Sequence, residues 1–225
     1  MFDIRCENTI APSAGNNNPD GVTAAVGFRH TVRMPITFLA LFALMTSTVA
    51  FTGQNDGLID DFSSASDYSR LGTAWRLVTD RVMGGVSSAS LSRREIDGHP
   101  ALCMQGDVSL DNNGGFVQVN IDLARGGLFD ASGFDGVRLL VRGNGETYNL
   151  HLKTSATSMP WQSYRAEFIA DGQWREVYLP FSQFEPHRLV PALDRSRLKR
   201  LGVVAIGRVM RADLCIGEIG FYQRT

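Results

Sequence analysis

An all-β sandwich or jelly roll of about ten short antiparallel strands is the fold class this sequence predicts, on three observations. From Leu58 onward apolar and polar residues alternate at the two-residue period of strands, turn-forming pairs recur at short spacing, and helical spacing is nearly absent. The alternation is plainest in "YNLHLKT", where Tyr148, Leu150 and Leu152 share one face and Asn149, His151 and Lys153 the other. "GVRLLVRG" likewise sets Val137, Leu139 and Val141 against Arg138, Leu140 and Arg142. In chain order the other predicted strands are "LIDDF" from Leu58, "AWRLV" from Ala74, "SSASLSR" from Ser87, "ALCMQG" from Ala101 and "GFVQVNI" from Gly115. After the two already described come "SYRAEFIA" from Ser163, "WREVYLPF" from Trp174, "LGVVAIG" from Leu201 and "DLCIGEIGFY" from Asp213. Asp97-Gly98, Gly126-Gly127, Asn144-Gly145 and Asp171-Gly172 mark turns between them, and "RGNGETY" reads as a hairpin about Asn144-Gly145. The best helical candidate, "VPALDRSRLKR" at 190–200, supplies one or two turns.

The first fifty residues have a different character. Residues 1–28 include "NTIAPSAGNNNPDG", which has too little apolar content to bury a core and predicts a disordered extension. Residues 29–50 have the layout of a signal peptide or N-terminal anchor: Arg29 and Arg33, an apolar centre from Ile36 to Met45, then small residues ending in Thr48-Val49-Ala50. The centre is short of the roughly 20 residues a spanning helix needs. The stretch before Met34 is long for a signal, so a start further along the chain is an alternative, and a leader without function would leave the protein cytoplasmic. Otherwise the expectation is an exported or anchored protein whose domain occupies 51–225, touching membrane only through an uncleaved leader. Cys103 and Cys215 remain in that domain; an exported domain could join them, while their apolar surroundings suit buried free thiols equally.

Composition excludes several functions. With 22 Lys plus Arg against 23 Asp plus Glu, the net charge is -1, which gives no basic excess for nucleic acid. The histidines are scattered away from metal-ligand spacing, and no nucleophile elbow, P-loop or dinucleotide fingerprint occurs, so neither metal nor cofactor is expected. Paired carboxylates, Asp60 with Asp61 and Glu167 with Glu176 on neighbouring strands, leave a glycoside hydrolase as a minor alternative.

Two glycine pairs stand out. Gly84-Gly85 in "DRVMGGVS" and Gly114-Gly115 in "NNGGFVQV" each follow polar residues and lead into an apolar strand, which places two similar strand starts at one rim. The architectural reading has Met83 and Val86 packing inward and Arg81 held by a carboxylate, either Asp80 or a cross-strand neighbour; direct ligand contact is the alternative.

These blocks, with "FDGVRLLVRGNGETYNLHL", "YRAEF", "WREVYLPFSQFEP" and "CIGEIGFY", resemble the complex I intermediate-associated protein 30 family over roughly Leu58 to Tyr222. The resemblance implies a galactose-binding-like β-sandwich and a non-enzymatic assembly chaperone whose partners are respiratory complex subunits. It marks Asp80, Arg81, Met83, Gly84, Gly85, Ser87, Asn113, Gly114, Gly115, Phe116, Gly143 and Tyr148 as the family motif and contact surface. Gly143-Asn144-Gly145 stands where relatives often carry Gly-Asp-Gly. The family's mitochondrial member works on the matrix side, opposite the side to which a signal would send this chain. A carbohydrate-binding envelope module is the second reading, with Trp161 or Trp174 stacking on a sugar and Arg81, Asn112 or Asn113 binding its hydroxyls.

Overall fold

The computed structural model describes residues 56–224. The predicted extension (1–28) and the leader or anchor (29–50) lie outside the described residues. Twelve strands follow in order: β1 Leu58–Asp60, β2 Arg76–Thr79, β3 Ser88–Ile96, β4 His99–Val108, β5 Phe116–Asp122 and β6 Gly136–Gly143, then β7 Glu146–Thr154, β8 Ser163–Ala170, β9 Arg175–Pro180, β10 Glu185–His187, β11 Leu198–Ile206 and β12 Met210–Tyr222. They form two antiparallel sheets, as the alternation predicts. The first runs β3-β4-β12-β6-β9, with β1 pairing the far end of β12; the second runs β10-β8-β7-β11-β5-β2.

The core lies between the sheets and takes the apolar set of each alternating strand. Val137, Leu139 and Val141 of β6 and Tyr148, Leu150 and Leu152 of β7 are fully buried, which is the period-two pattern converted into burial. Cys103 and Cys215 face each other in the β4–β12 register and are joined by a disulfide. With Ala101 they form a small apolar cluster covered by Ile96 and Trp174. Trp174 donates its indole N–H to the Ile96 carbonyl at 3.2 Å, so it seals this cluster.

Two local expectations change, at Asn144-Gly145 and at β10, and the helical one is met in its smaller form. Asn144-Gly145 is a tight turn but not a hairpin: it carries the chain from β6 in the first sheet to β7 in the second. Turn chemistry specifies a reversal and a positive φ at Gly145 (87°); it does not specify which sheet the next strand joins. The segment 190–200 forms a single 3-10 turn, Arg195–Arg197, capped by Asp194 accepting from the Ser196 amide at 3.0 Å, and then enters β11. The unpredicted β10 is a three-residue edge strand that tolerates Pro186 because one side of an edge strand needs no ladder donor. At Asp97-Gly98 both residues have positive φ (51° and 77°), and the predicted turn is a two-residue β3–β4 hairpin.

Candidate functional site

The two glycine pairs converge on one carboxylate. Asp80 opens a 3-10 turn, Asp80–Met83, that ends β2, and its side chain is fully buried. It accepts hydrogen bonds from the Ser87 amide (2.9 Å), the Gly115 amide (2.6 Å), the Phe116 amide (3.3 Å) and the Ser87 hydroxyl. Ser87 Oγ in turn accepts from the Ser109 amide at 2.9 Å. The starts of β3 and β5 are thereby tied to the end of β2, across the seam between the sheets. Burial alone would raise the Asp80 carboxyl, but these donors outweigh it and hold the group below its ordinary value.

The knot explains why glycine is needed. A Cβ on Gly85 would stand 2.4 Å from the Asp80 carboxyl carbon, and one on Gly114 would stand 2.6 Å from its Oδ2. Gly84 has open space around it but a φ of 94°. Gly85→Ala is therefore expected to cost about 3 kcal/mol through overpacking. Gly84→Ala should cost only the left-handed penalty of about 1–2 kcal/mol. Thermal melting of the two variants by circular dichroism checks the order; equal melting points would contradict it.

The predicted contact surface divides accordingly. Asp80, Gly85, Ser87 and Gly115 are buried and Gly114 is half-buried against the carboxylate, so these positions build the knot and offer no contact face. Gly143 and Tyr148 also belong to the frame. Tyr148 is fully buried; its hydroxyl donates to Asn144 Oδ1 at 2.8 Å and accepts from the Asp213 amide at 2.9 Å. Burial pushes this phenol up to about 12. A Cβ on Gly143 would meet the Ala170 carbonyl oxygen at 2.7 Å.

What remains outward is Arg81, Val82, Met83, Gly84, Val86, Asn113 and Trp161, with Phe116 half-buried. Met83 and Val86, expected to pack inward, are 62% and 45% exposed, and Val82 beside them is 75% exposed. The reason is that the turn's tight inner side is filled by the Asp80 carboxylate, which leaves no room for an apolar side chain there. Arg81 has no carboxylate within salt-bridge distance among the described residues, contrary to the expectation that one holds it. Leu110, 49% exposed, approaches the same knot, its Cδ2 lying 3.1 Å from where a Gly115 Cβ would be. Along the seam between β2 and β3 runs an open groove of about 380 Å³ lined by residues including Leu77, Thr79, Arg81, Val82 and Ala89.

Glu167 and Glu176 are not brought together. Glu167 lies in β8 of the second sheet and Glu176 in β9 of the first, so they are not cross-strand neighbours. Asp60 is buried and accepts from the Trp75 indole at 2.8 Å and the Phe62 amide at 2.9 Å. Among the described residues no group of three or more His, Cys, Asp or Glu is placed to hold a metal ion. Sequence reading missed Asn120 and His151, which lie on the outward face of the second sheet yet are 4% and 8% exposed. The available signal was amide and imidazole side chains at alternate positions of β5 and β7, where outward positions ordinarily carry Lys, Glu or Arg.

A family model described as Complex I intermediate-associated protein 30 matches residues 61–216. Among solved structures, a family 11 carbohydrate-binding module from a cellulosomal cellulase of Clostridium thermocellum superposes with a TM-score of 0.58 at 13% identity, covering 74% of this chain and 94% of that one. The family 11 module from the same organism in complex with a β-1,3-1,4-mixed-linked tetrasaccharide gives 0.57 at 13% identity, covering 74% and 95%. An exo-β-agarase gives 0.51 at 13% identity over 75% of this chain but only 25% of its own length. At such identities the likeness is one of fold, and it assigns the galactose-binding-like sandwich class. No curated protein sequence matches this one.

Proposed function

The chain belongs to the Complex I intermediate-associated protein 30 family, and we propose that it is a non-enzymatic, assembly-factor-like binding module that docks a respiratory-complex subunit through the turn around Val82 and Met83. The observation that carries this is the exposure of two adjacent apolar side chains, 75% and 62%, on a turn whose base is fixed by the Asp80 carboxylate. A rigid apolar turn loses little conformational freedom on binding, which favours its use as an anchor. Val86 and Leu110 enlarge the apolar surface, and the neighbouring seam groove offers a place for a partner's side chain. The Cys103–Cys215 disulfide fits an oxidising compartment and so supports an exported location, on the side to which a working leader would send the chain.

The experiment is recovery of complex I subunits from mild-detergent membrane extracts by tagged protein, compared between wild type and Val82→Ser/Met83→Ser. Loss of at least about tenfold in subunit recovery is expected, equivalent to about 1.4 kcal/mol, with the melting point unchanged because neither side chain is buried. Equal recovery by the variant would overturn the assignment of this turn.

A second reading, a saccharide-binding module, is supported by Trp161. It is 54% exposed in the β7–β8 loop, free to stack on a sugar ring.

A further inference from the structure

The outward face of the second sheet carries polar side chains in register on five of its six strands, with Gly202 standing in the row on the sixth. Paired positions run Arg76, Asn120, Gly202, His151, Arg165 and Glu185 from β2 to β10. Gln118 and Asn149 lie in the next row, on either side of Val204. Outward polar groups on a sheet ordinarily reach solvent. Here Asn120 Oδ1 and His151 Nε2 are buried and meet no hydrogen-bond partner among the described residues. They flank Gly202, where an added Cβ would touch nothing closer than Asn120 Cβ at 3.4 Å. Glycine at this position therefore leaves a shallow depression bordered by two unsatisfied polar groups.

One end of the face carries three cations against Glu185, which stands opposite Arg165 in the register. Lys153, Arg165 and Arg188 form no ion pair within 4.0 Å among the described residues, whereas Arg76 and Arg200 share Asp122. Arg165 donates only to Ser163 Oγ at 3.0 Å, and Lys153 to the Pro160 carbonyl at 2.6 Å. Burial first, and the cations around them second, lower the proton affinity of Lys153 and Arg165. Burial, then Arg165, His187 and Lys153, hold His151 near 3, so its imidazole is neutral at pH 7. The Lys153 contact also ties the loop bearing Trp161 to this side of the sheet.

A fully deprotonated anion such as sulfate carries acceptors only and cannot satisfy Asn120 Oδ1, which needs a donor. A hydroxyl both donates and accepts, and so serves that amide in either orientation and the neutral imidazole in either tautomer. We propose that this face binds an acidic saccharide, its ring hydroxyls on Asn120, His151 and the neighbouring amides and its negative group on Arg165 and Lys153. This deepens the saccharide reading and is independent of the protein contact through Val82 and Met83.

The test is calorimetric titration of the full chain with trimers of galacturonate, mannuronate and glucuronate, each as free acid and as the uncharged methyl ester, and with inorganic sulfate. At least one free acid is expected to bind about tenfold or more tighter than its ester, with sulfate alone weaker still. Arg165→Gln should remove the preference for acid over ester. Gly202→Leu should fill the depression and abolish binding of both, its melting curve reporting that the sheet is intact. Binding of ester and acid alike would overturn the acidic ligand while leaving the saccharide reading standing. Sulfate binding as tight as the acids would overturn the role of the hydroxyls, and no binding of any trimer would overturn both the inference and the saccharide reading.

Discussion

Asp80→Ala is expected to lower the melting temperature by about 10 °C or more. The substitution strands the amides of Ser87, Gly115 and Phe116 and the Ser87 hydroxyl in a fully buried position. Each unsatisfied donor costs about 1–3 kcal/mol, and water entering the space recovers part of that, for a net loss of about 3–5 kcal/mol. In a domain of this size each kcal/mol moves the midpoint by about 2–4 °C. A scanning melt of the purified variant beside wild type measures it, and a shift below about 3 °C would mean that the carboxylate is not tying the strand starts together. The same substitution leaves Val82 and Met83 in place, so any loss of partner recovery from folded Asp80→Ala protein reports on how far the knot orients the turn.

Removing the disulfide is expected to have the second largest effect. Cys103 and Cys215 are separated by 112 positions in sequence, and cross-linking a loop of that length removes enough freedom from the unfolded chain to stabilise the domain by about 3–5 kcal/mol. Cys103→Ala/Cys215→Ala should therefore melt about 10 °C below wild type, and reducing agent should bring wild type to the same midpoint. Both sulfurs lie in an apolar cluster closed by Trp174, so reduction of the folded protein should be slow and should accelerate with denaturant. If wild type and the double variant melted together, the bond would contribute nothing to stability.

Much of the fold was legible because it rests on local periodicity. Every strand predicted from alternation is present, and the faces of β6 and β7 are the ones their apolar residues announce. The miss at Asn144-Gly145 has a physical cause: a two-residue turn looks the same in sequence whether the next strand pairs with the last or crosses to the opposite sheet. The 190–200 segment holds the smaller of its expected one or two turns, Arg195–Arg197. It goes no further because β11 needs Leu198 and Leu201 as fully buried core residues, and tertiary burial outweighs weak propensity.

The candidate site was legible as chemistry of the backbone, not as a surface. Adjacent glycines signalled a close approach, and the approaching group is the Asp80 carboxylate within the same motif, which a sequence presents only as an ordinary Asp. Met83 and Val86 were assigned inward because apolar residues beside a strand usually are; the carboxylate occupies that inner space. Asn120 and His151 were hidden because their only local signal, an amide and an imidazole at outward positions, does not distinguish a polar group that reaches solvent from one buried between adjoining strands.

The most direct test of the central claim, that this glycine motif is a fold-holding knot around an ionised carboxylate, is the difference in unfolding free energy between wild type and Asp80→Asn, measured by denaturant titration from pH 7 to pH 3. The folded carboxyl lies below its ordinary 3.8, so its ionised form stabilises the fold above that value, and the contribution is lost as pH falls through the folded value. The gap should be about 2–3 kcal/mol at neutral pH, typical of hydrogen bonds to a charged group, and should narrow as the pH drops below about 4. A gap that stays constant with pH, or two proteins equally stable at pH 7, would contradict it.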